Sequence, residues 1–246
     1  MYASLGMSAV EFLWMALRGR PALGKVRFDE DSRLRWEEAL GQGRGVVVAA
    51  SHTGNWDMAA CAVAQEREIL VVTKHLRVRW LDRFWQTTRA RLGVKLQDAN
   101  GAIAASRAVL RRGGVVAMMI DQVPLSSRHA SQVEFLGRGA ATDRAPAALA
   151  ASTRTPLVVA AARRDATGGQ VLEVLDVLLP PSHPLRPTRA WVVEATHAAT
   201  CALDGFVRRH PGQWLWLHRR WKPMLGNTSP CRMTPSSSPV EPSPVV

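Results

Sequence analysis

Cysteine, lysine, acidic residues and long apolar runs are all scarce in this sequence. Three cysteines (Cys61, Cys201 and Cys231) at wide spacing make neither a disulfide framework nor a zinc-ligand pattern. A reducing, cytosolic setting suits such usage. The longest stretch free of Asp, Glu, Lys and Arg is residues 45–56, twelve residues that include His52. A membrane-spanning helix needs roughly 20 apolar residues, so none is expected. The first ten residues are uncharged, but no basic segment precedes them and Glu11 ends the run, so a signal peptide is not expected either.

What is present is a core and a surplus of positive charge. The chain has 246 residues, 47% of them hydrophobic, enough for one domain with a large core. The net charge is +12, and 28 of the 32 basic residues are arginine. Such a surplus selects acidic partners: nucleic acid, anionic lipid or an acidic protein.

The pattern along the chain alternates between strand and helix. Leu5, Ala9, Phe12, Leu13 and Ala16 recur at helical spacing, which predicts an amphipathic first helix. It packs on the core or lies in a membrane surface. Strands are predicted over 45–50, 69–73, 115–120, 156–162 and 171–178. Helices are predicted over 55–68, 81–92, 101–112, 145–152 and 191–209, the last ended by His210-Pro211. This alternation predicts an α/β layered domain over residues 1–225. Residues 226–246 hold five of the fifteen prolines and five serines, which predicts a disordered tail.

Four segments can carry chemistry. The first is Ser51-His52-Thr53-Gly54-Asn55-Trp56-Asp57, between a strand of small and β-branched residues and a helix. Strand ends of open α/β sheets are the usual ligand positions. Gly54 lets the backbone turn back, so that Asp57 in the first helical turn can reach His52. A histidine oriented by a carboxylate can deprotonate a substrate hydroxyl directly. Read without that chemistry, His52 is a loop residue that caps a helix. Ser51 lacks a nucleophile elbow, and Cys61 lies among alanines in the core pattern, so neither is read as a nucleophile.

The second segment runs from Lys74 to Lys95. It carries Arg77, Arg79, Arg83, Arg89 and Arg91 against one acid, Asp82, with Trp80, Phe84 and Trp85 interleaved. It reads as a solvated helix face, as an anion-binding groove of arginine forks, or as nucleic-acid texture. The third, Met118 to Gln122, puts Asp121 at the end of a buried strand; Glu134 to Arg138, Thr142 and Pro146 follow as a turn and a helix start. The fourth is Gln213-Trp214-Leu215-Trp216-Leu217-His218-Arg219-Arg220-Trp221-Lys222. Its alternation predicts a strand with Trp214, Trp216 and His218 on one face, suited to a membrane interface or to filling core volume.

Together these blocks resemble the late, lauroyl/myristoyl-type lipid A biosynthesis acyltransferases of the lysophospholipid acyltransferase superfamily. The resemblance runs from about Tyr2 to Lys222. Its strongest block, Ser51 to Asp57, fits the superfamily's HxxxxD/E signature. The Arg89–Gly93 stretch, Asp121-Gln122, Phe135–Gly137 and Gln213–Lys222 follow in the family's order. HxxxxD alone is weak; five blocks in order are specific.

The resemblance implies a layered α/β sandwich around a mixed, mostly parallel sheet. It implies transfer of a fatty acyl chain from acyl carrier protein, or coenzyme A, to a hydroxyl of a membrane glycolipid. His52 is then the general base and Asp57 its orienting carboxylate. Arg89 and Arg91 hold acceptor phosphate or the oxyanion, and Asp121 shapes the site. Thr53, Gly54, Asn55, Gly137 and Arg138 complete the substrate-binding set, with backbone N–H groups of Thr53–Asn55 as oxyanion donors. No metal or organic cofactor is implied.

The implied partners are acyl carrier protein, the glycolipid and an anionic membrane surface. The implied place is the cytoplasmic face of the inner membrane, held peripherally or with an N-terminal segment missing, since relatives usually begin with a spanning helix. Asp57 stands where this branch usually has glutamate, so its shorter arm must sit closer to His52. Two alternatives stay open: a basic nucleic-acid-binding protein without a recognisable module, and a lipid-ester hydrolase lacking an evident nucleophile.

Overall fold

A computed structural model describes residues 2–124, 127–181, 189–218 and 220–221. Its centre is a seven-stranded sheet in the order β1-β9-β8-β2-β5-β3-β4. The strands are β1 (Val26–Phe28), β2 (Val46–Ala50), β3 (Ile69–Thr73), β4 (Val94–Asp98), β5 (Val115–Met119), β8 (Leu157–Arg164) and β9 (Gln170–Leu178). All neighbours are parallel except β8 and β9. The expected mixed, mostly parallel α/β architecture is therefore present.

The central strand explains itself. Val46-Val47-Val48-Ala49 is buried along its whole length, as a strand covered on both faces must be. Val47 and Ala49 face one apolar cluster, shared with α5 (Ala102–Arg111), α6 (Ala145–Thr153) and α7 (Arg189–Arg209). Val46 and Val48 face a second, shared with α1 (Tyr2–Arg18), α2 (Glu30–Gly41) and α3 (Trp56–Glu66). Phe12 of α1 packs its ring on Phe84 and Trp85 of α4 (Arg79–Arg91), with centroids 5.8 and 5.6 Å apart.

Three sequence expectations are corrected here. The turn expected at 134–138 is present at Leu136-Gly137 and a helix does start at Ala145-Pro146, but the turn joins two unexpected strands, β6 (Ala130–Phe135) and β7 (Arg138–Asp143). Leu136 and Gly137 both have positive φ, 52° and 78°, as a two-residue hairpin turn requires. The tryptophan-rich segment after residue 213 is not a strand. It makes one isolated bridge, Trp214 to Thr53, and then leaves the sheet. Also, α2 was not anticipated, because only Ser32, Trp36 and Ala39 of its twelve residues are buried. The expected tail at 226–246, together with Cys231, lies outside the described residues. No helix of the described residues is long and apolar enough to cross a membrane.

Candidate active site

Sheet register brings the site together. β2 and β5 run parallel with Ala50 opposite Met119. Two residues past each strand end, His52 therefore lies opposite Asp121. The His52 Nδ1–H donates to Asp121 Oδ1 at 2.8 Å, and its backbone N–H donates to Oδ2 at 2.8 Å. Trp214 Nε1–H donates to the same Oδ2 at 2.9 Å. Asp121 is 1% exposed and thus holds three donors in one orientation.

Electrostatics fixes the tautomer. Burial pushes the Asp121 carboxyl up, but the His52 charge and the three hydrogen bonds outweigh it and hold the group down at about 2. Burial pushes the His52 imidazole down, and Asp121, with a smaller effect from Asp57, lifts it above its ordinary value. An ionised Asp121 at 2.8 Å requires the proton on Nδ1. In the neutral ring Nε2 then carries the lone pair, and it makes no hydrogen bond among the described residues. The His52 side chain is 18% exposed and borders a cavity.

Asp57 does something else. Its Oδ1 accepts from Arg89 Nη1 at 3.3 Å, with both side chains under a tenth exposed. It makes no hydrogen bond to His52, so the expected His52–Asp57 pair is replaced by His52–Asp121. Burial raises the Asp57 carboxyl, opposed first by Arg89. The Trp85 indole N–H also favours the carboxylate, without closing a hydrogen bond. Arg89 is equally committed: its Nη2 donates to Gln86 Oε1 at 2.8 Å and Thr73 Oγ1 at 3.3 Å. Its Nη atoms are thus engaged within the chain, while its buried Nε has no partner among the described residues. Arg91 is exposed and does not border the cavity.

The turn between His52 and Asp57 is a scaffold. The N–H groups of Thr53, Gly54 and Asn55 donate to Ser51 O (2.9 Å), Gln213 O (3.1 Å) and Gln170 Oε1 (3.1 Å). None is left for an oxyanion, and none of the three residues borders the cavity. Gly54 has φ +56°, and a Cβ there would lie 2.6 Å from Ala162 O of β8. Asn55 caps α3 through Oδ1 to Met58 N at 3.0 Å and donates to Glu11 Oε2 of α1 at 2.9 Å. Glu11 also pairs with Arg164 at 2.7 Å and thereby clamps α1 to the turn.

Gly137 and Arg138 sit at the β6–β7 hairpin, away from the cavity lining. The Arg138 guanidinium lies over the Trp221 ring at 5.5 Å. Cys61 is fully buried, its thiol pushed by burial up to about 12, and the Ser51 hydroxyl is bonded with Thr53 Oγ1 at 3.1 Å. Neither is set up as a nucleophile.

The cavity has a volume of about 690 Å³, within the range of ligand sites, roughly 300–1,000 Å³. Its walls are mostly apolar and small, with Val48, Ala50, Ala60, Val71, Ala117 and Ala160 among them, and Trp36 and Phe28 also border it. Polar groups gather at the strand ends: His52, Lys74, His75, Arg89 and Gln122. The arrangement is an imidazole, oriented by a carboxylate, at the edge of an apolar chamber.

Two residues in the last described segment matter to the site, Trp214 in the core-filling place that its run allows and Arg220 in a place that no reading gave it. Trp214 is 1% exposed and bonds Asp121. Arg220 is 1% exposed and donates to the carbonyls of Gln122 (3.0 Å) and Ala141 and to Thr142 Oγ1 (2.6 Å). The basic run around it reads as surface, and nothing in the sequence marks one arginine of it as core.

Comparison with known proteins gives a family for the chain. The profile of the family "Bacterial lipid A biosynthesis acyltransferase" matches residues 1–223. Two curated phosphatidylinositol mannoside acyltransferases, from Mycobacterium tuberculosis strains CDC 1551 / Oshkosh and ATCC 25618 / H37Rv, are similar at 27% identity over 192 residues. The match covers 75% of this chain and 57% of each relative, so the chain spans little more than half their length.

Proposed function

The chain belongs to the bacterial lipid A biosynthesis acyltransferase family, and from that premise we propose that it moves a fatty acyl chain from a thioester to a hydroxyl of a membrane glycolipid. The donor is acyl carrier protein or coenzyme A; the acceptor is a lipid A precursor or another glycolipid such as a phosphatidylinositol mannoside. The carrying observation is His52, locked by Asp121, with Nε2 unpaired among the described residues, on the edge of an apolar chamber.

The chemistry follows from that geometry. The acyl chain lies in the chamber, where apolar burial stabilises it by about 0.8 kcal/mol per methylene. His52 Nε2 takes the proton of the acceptor hydroxyl as its oxygen attacks the thioester carbonyl carbon. The tetrahedral intermediate collapses, the C–S bond breaks, and the thiolate receives the proton from imidazolium. Asp121 keeps Nδ1 protonated and stabilises the transient positive charge. A thioester is already activated, so positioning and one base suffice, and this route calls on no metal or organic cofactor.

Asp57 acts through Arg89 and through its field on His52 rather than by contact. Apposition to a membrane is supported by the outward face of α1, where Val10, Leu13 and Leu17 are 66%, 53% and 85% exposed. Trp80 is 73% exposed beside Arg77, Arg79 and Arg83, which suits anionic lipid. These exposed groups support a peripheral position on the cytoplasmic face of the inner membrane. Lipid mass spectrometry of a deletion strain tests the reading. One lipid class should lose one acyl chain and regain it with the wild-type gene; an unchanged lipidome contradicts the proposal.

A further inference from the structure

The tetrahedral intermediate of acyl transfer needs hydrogen-bond donors aimed at its oxyanion, and several nearby ones are taken. The backbone N–H groups of residues 52–55 are all bonded within the chain. The Arg89 Nη atoms are held by Asp57, Thr73 and Gln86. Lys74 is exposed on the rim, where water weakens any charge it offers.

Gln122 is placed differently. It is half-buried, borders the chamber and holds its amide Nε2 3.4 Å from His52 Nδ1. That nitrogen cannot accept from it, because its proton already goes to the Asp121 carboxylate. Among the described residues no other acceptor holds this amide, and Gln122 borders the chamber beside the base. The backbone below them is fixed, since Gln122 O accepts from the buried Arg220 at 3.0 Å and the preceding Asp121 holds three bonds. We propose that Gln122 is a catalytic residue whose side-chain amide donates to the oxyanion formed on the thioester carbonyl. This rests on the reading of His52 as the base of acyl transfer.

The test measures single-turnover transfer by the full chain. Membranes of the deletion strain supply the acceptor, and C12–C18 acyl thioesters of coenzyme A and of acyl carrier protein supply the donor. Gln122→Ala should lower kcat by about 100-fold, the usual loss of one oxyanion donor, with KM for the thioester within threefold of wild type. Gln122→Glu keeps the shape, removes the donor and should fall at least as far. In Gln122→Ala, the rise of kcat/KM with pH through His52 should be retained. Three results would overturn the proposal: both variants within threefold of wild-type kcat, a loss confined to KM, or Gln122→Glu active while Gln122→Ala is not. Full activity in His52→Ala would instead remove the underlying reading, which separates the two failures.

Discussion

Asp121→Asn tests the heart of the site with one atom changed. Three donors face the carboxylate: His52 Nδ1 at 2.8 Å, His52 N at 2.8 Å and Trp214 Nε1 at 2.9 Å. An asparagine has one accepting oxygen and one donating nitrogen. Its oxygen can serve the two donors now on Oδ2, which leaves the amide N–H against His52 Nδ1. Either two donors face each other, at about 1–3 kcal/mol for a buried unsatisfied group, or Nδ1 gives up its proton. In the second case the proton moves to Nε2 and the base is lost. The same exchange in hydrolytic triads costs about 10⁴ in kcat, or about 5.5 kcal/mol at 1.36 kcal/mol per tenfold. The variant should therefore transfer acyl chains roughly 10³–10⁴ times more slowly while staying folded. Nitrogen-15 NMR of labelled histidine should show the His52 proton moved to Nε2. Activity within tenfold of wild type, with the Nδ1–H tautomer unchanged, refutes the assignment.

Other changes separate the remaining roles. Asp57→Ala leaves Arg89 buried beside no charge and should lower stability by about 3–5 kcal/mol in denaturant unfolding, whereas Asp57→Asn should lower it less. Gly54→Ala places a Cβ 2.6 Å from Ala162 O at positive φ and should cost more than about 1 kcal/mol, read as a lower Tm with slower transfer. His52 works unprotonated and its imidazole sits above its ordinary value, so kcat/KM should rise with pH around a midpoint above 6.5, and Asp121→Asn should abolish that rise. Asp121 is depressed to about 2, so its contribution to stability is present above pH 4 and is lost as pH falls toward 2, measurable by acid titration of unfolding. Leu13→Asp with Leu17→Asp should weaken sedimentation with anionic phospholipid vesicles several-fold.

Much of the fold is legible because its strands are fully buried. Runs such as Val46-Val47-Val48 and Ile69-Leu70-Val71-Val72 announce themselves, and the helices between them follow from spacing. What the pattern hides has few buried residues or borrows its stability from neighbours. β1 has three residues, β4 is an edge strand carrying Lys95, Gln97 and Asp98, and α2 buries a narrow stripe. The hairpin at 130–143 reads as a turn because its strands hold Ser131, Gln132, Glu134 and Thr142 among small residues.

At the site, His52, Asp57, Arg89 and Asp121 all stand out in the sequence, but their pairing does not. Proximity along the chain favours Asp57 as the partner of His52. Register across the sheet brings Asp121 from 69 residues away and leaves Asp57 to Arg89. The Thr53–Asn55 segment looks like a donor-rich loop, but the turn's own Ser51 carbonyl, the distant Gln213 carbonyl and Gln170 of β9 take its backbone N–H groups. Such long-range hydrogen bonds leave no local signal. The bond from Trp214 to Asp121 and the burial of Arg220 are hidden for the same reason, although core filling by the tryptophans is legible.

The central claim is that His52 is the base that makes a glycolipid hydroxyl attack an acyl thioester. Its most direct test is single-turnover transfer by purified wild-type and His52→Ala proteins, with membranes of the deletion strain as acceptor. The account predicts one acyl chain added by the wild type, and a rate lowered by at least 10³-fold in a variant that keeps the wild-type fold by circular dichroism. Transfer by His52→Ala at the wild-type rate would contradict it.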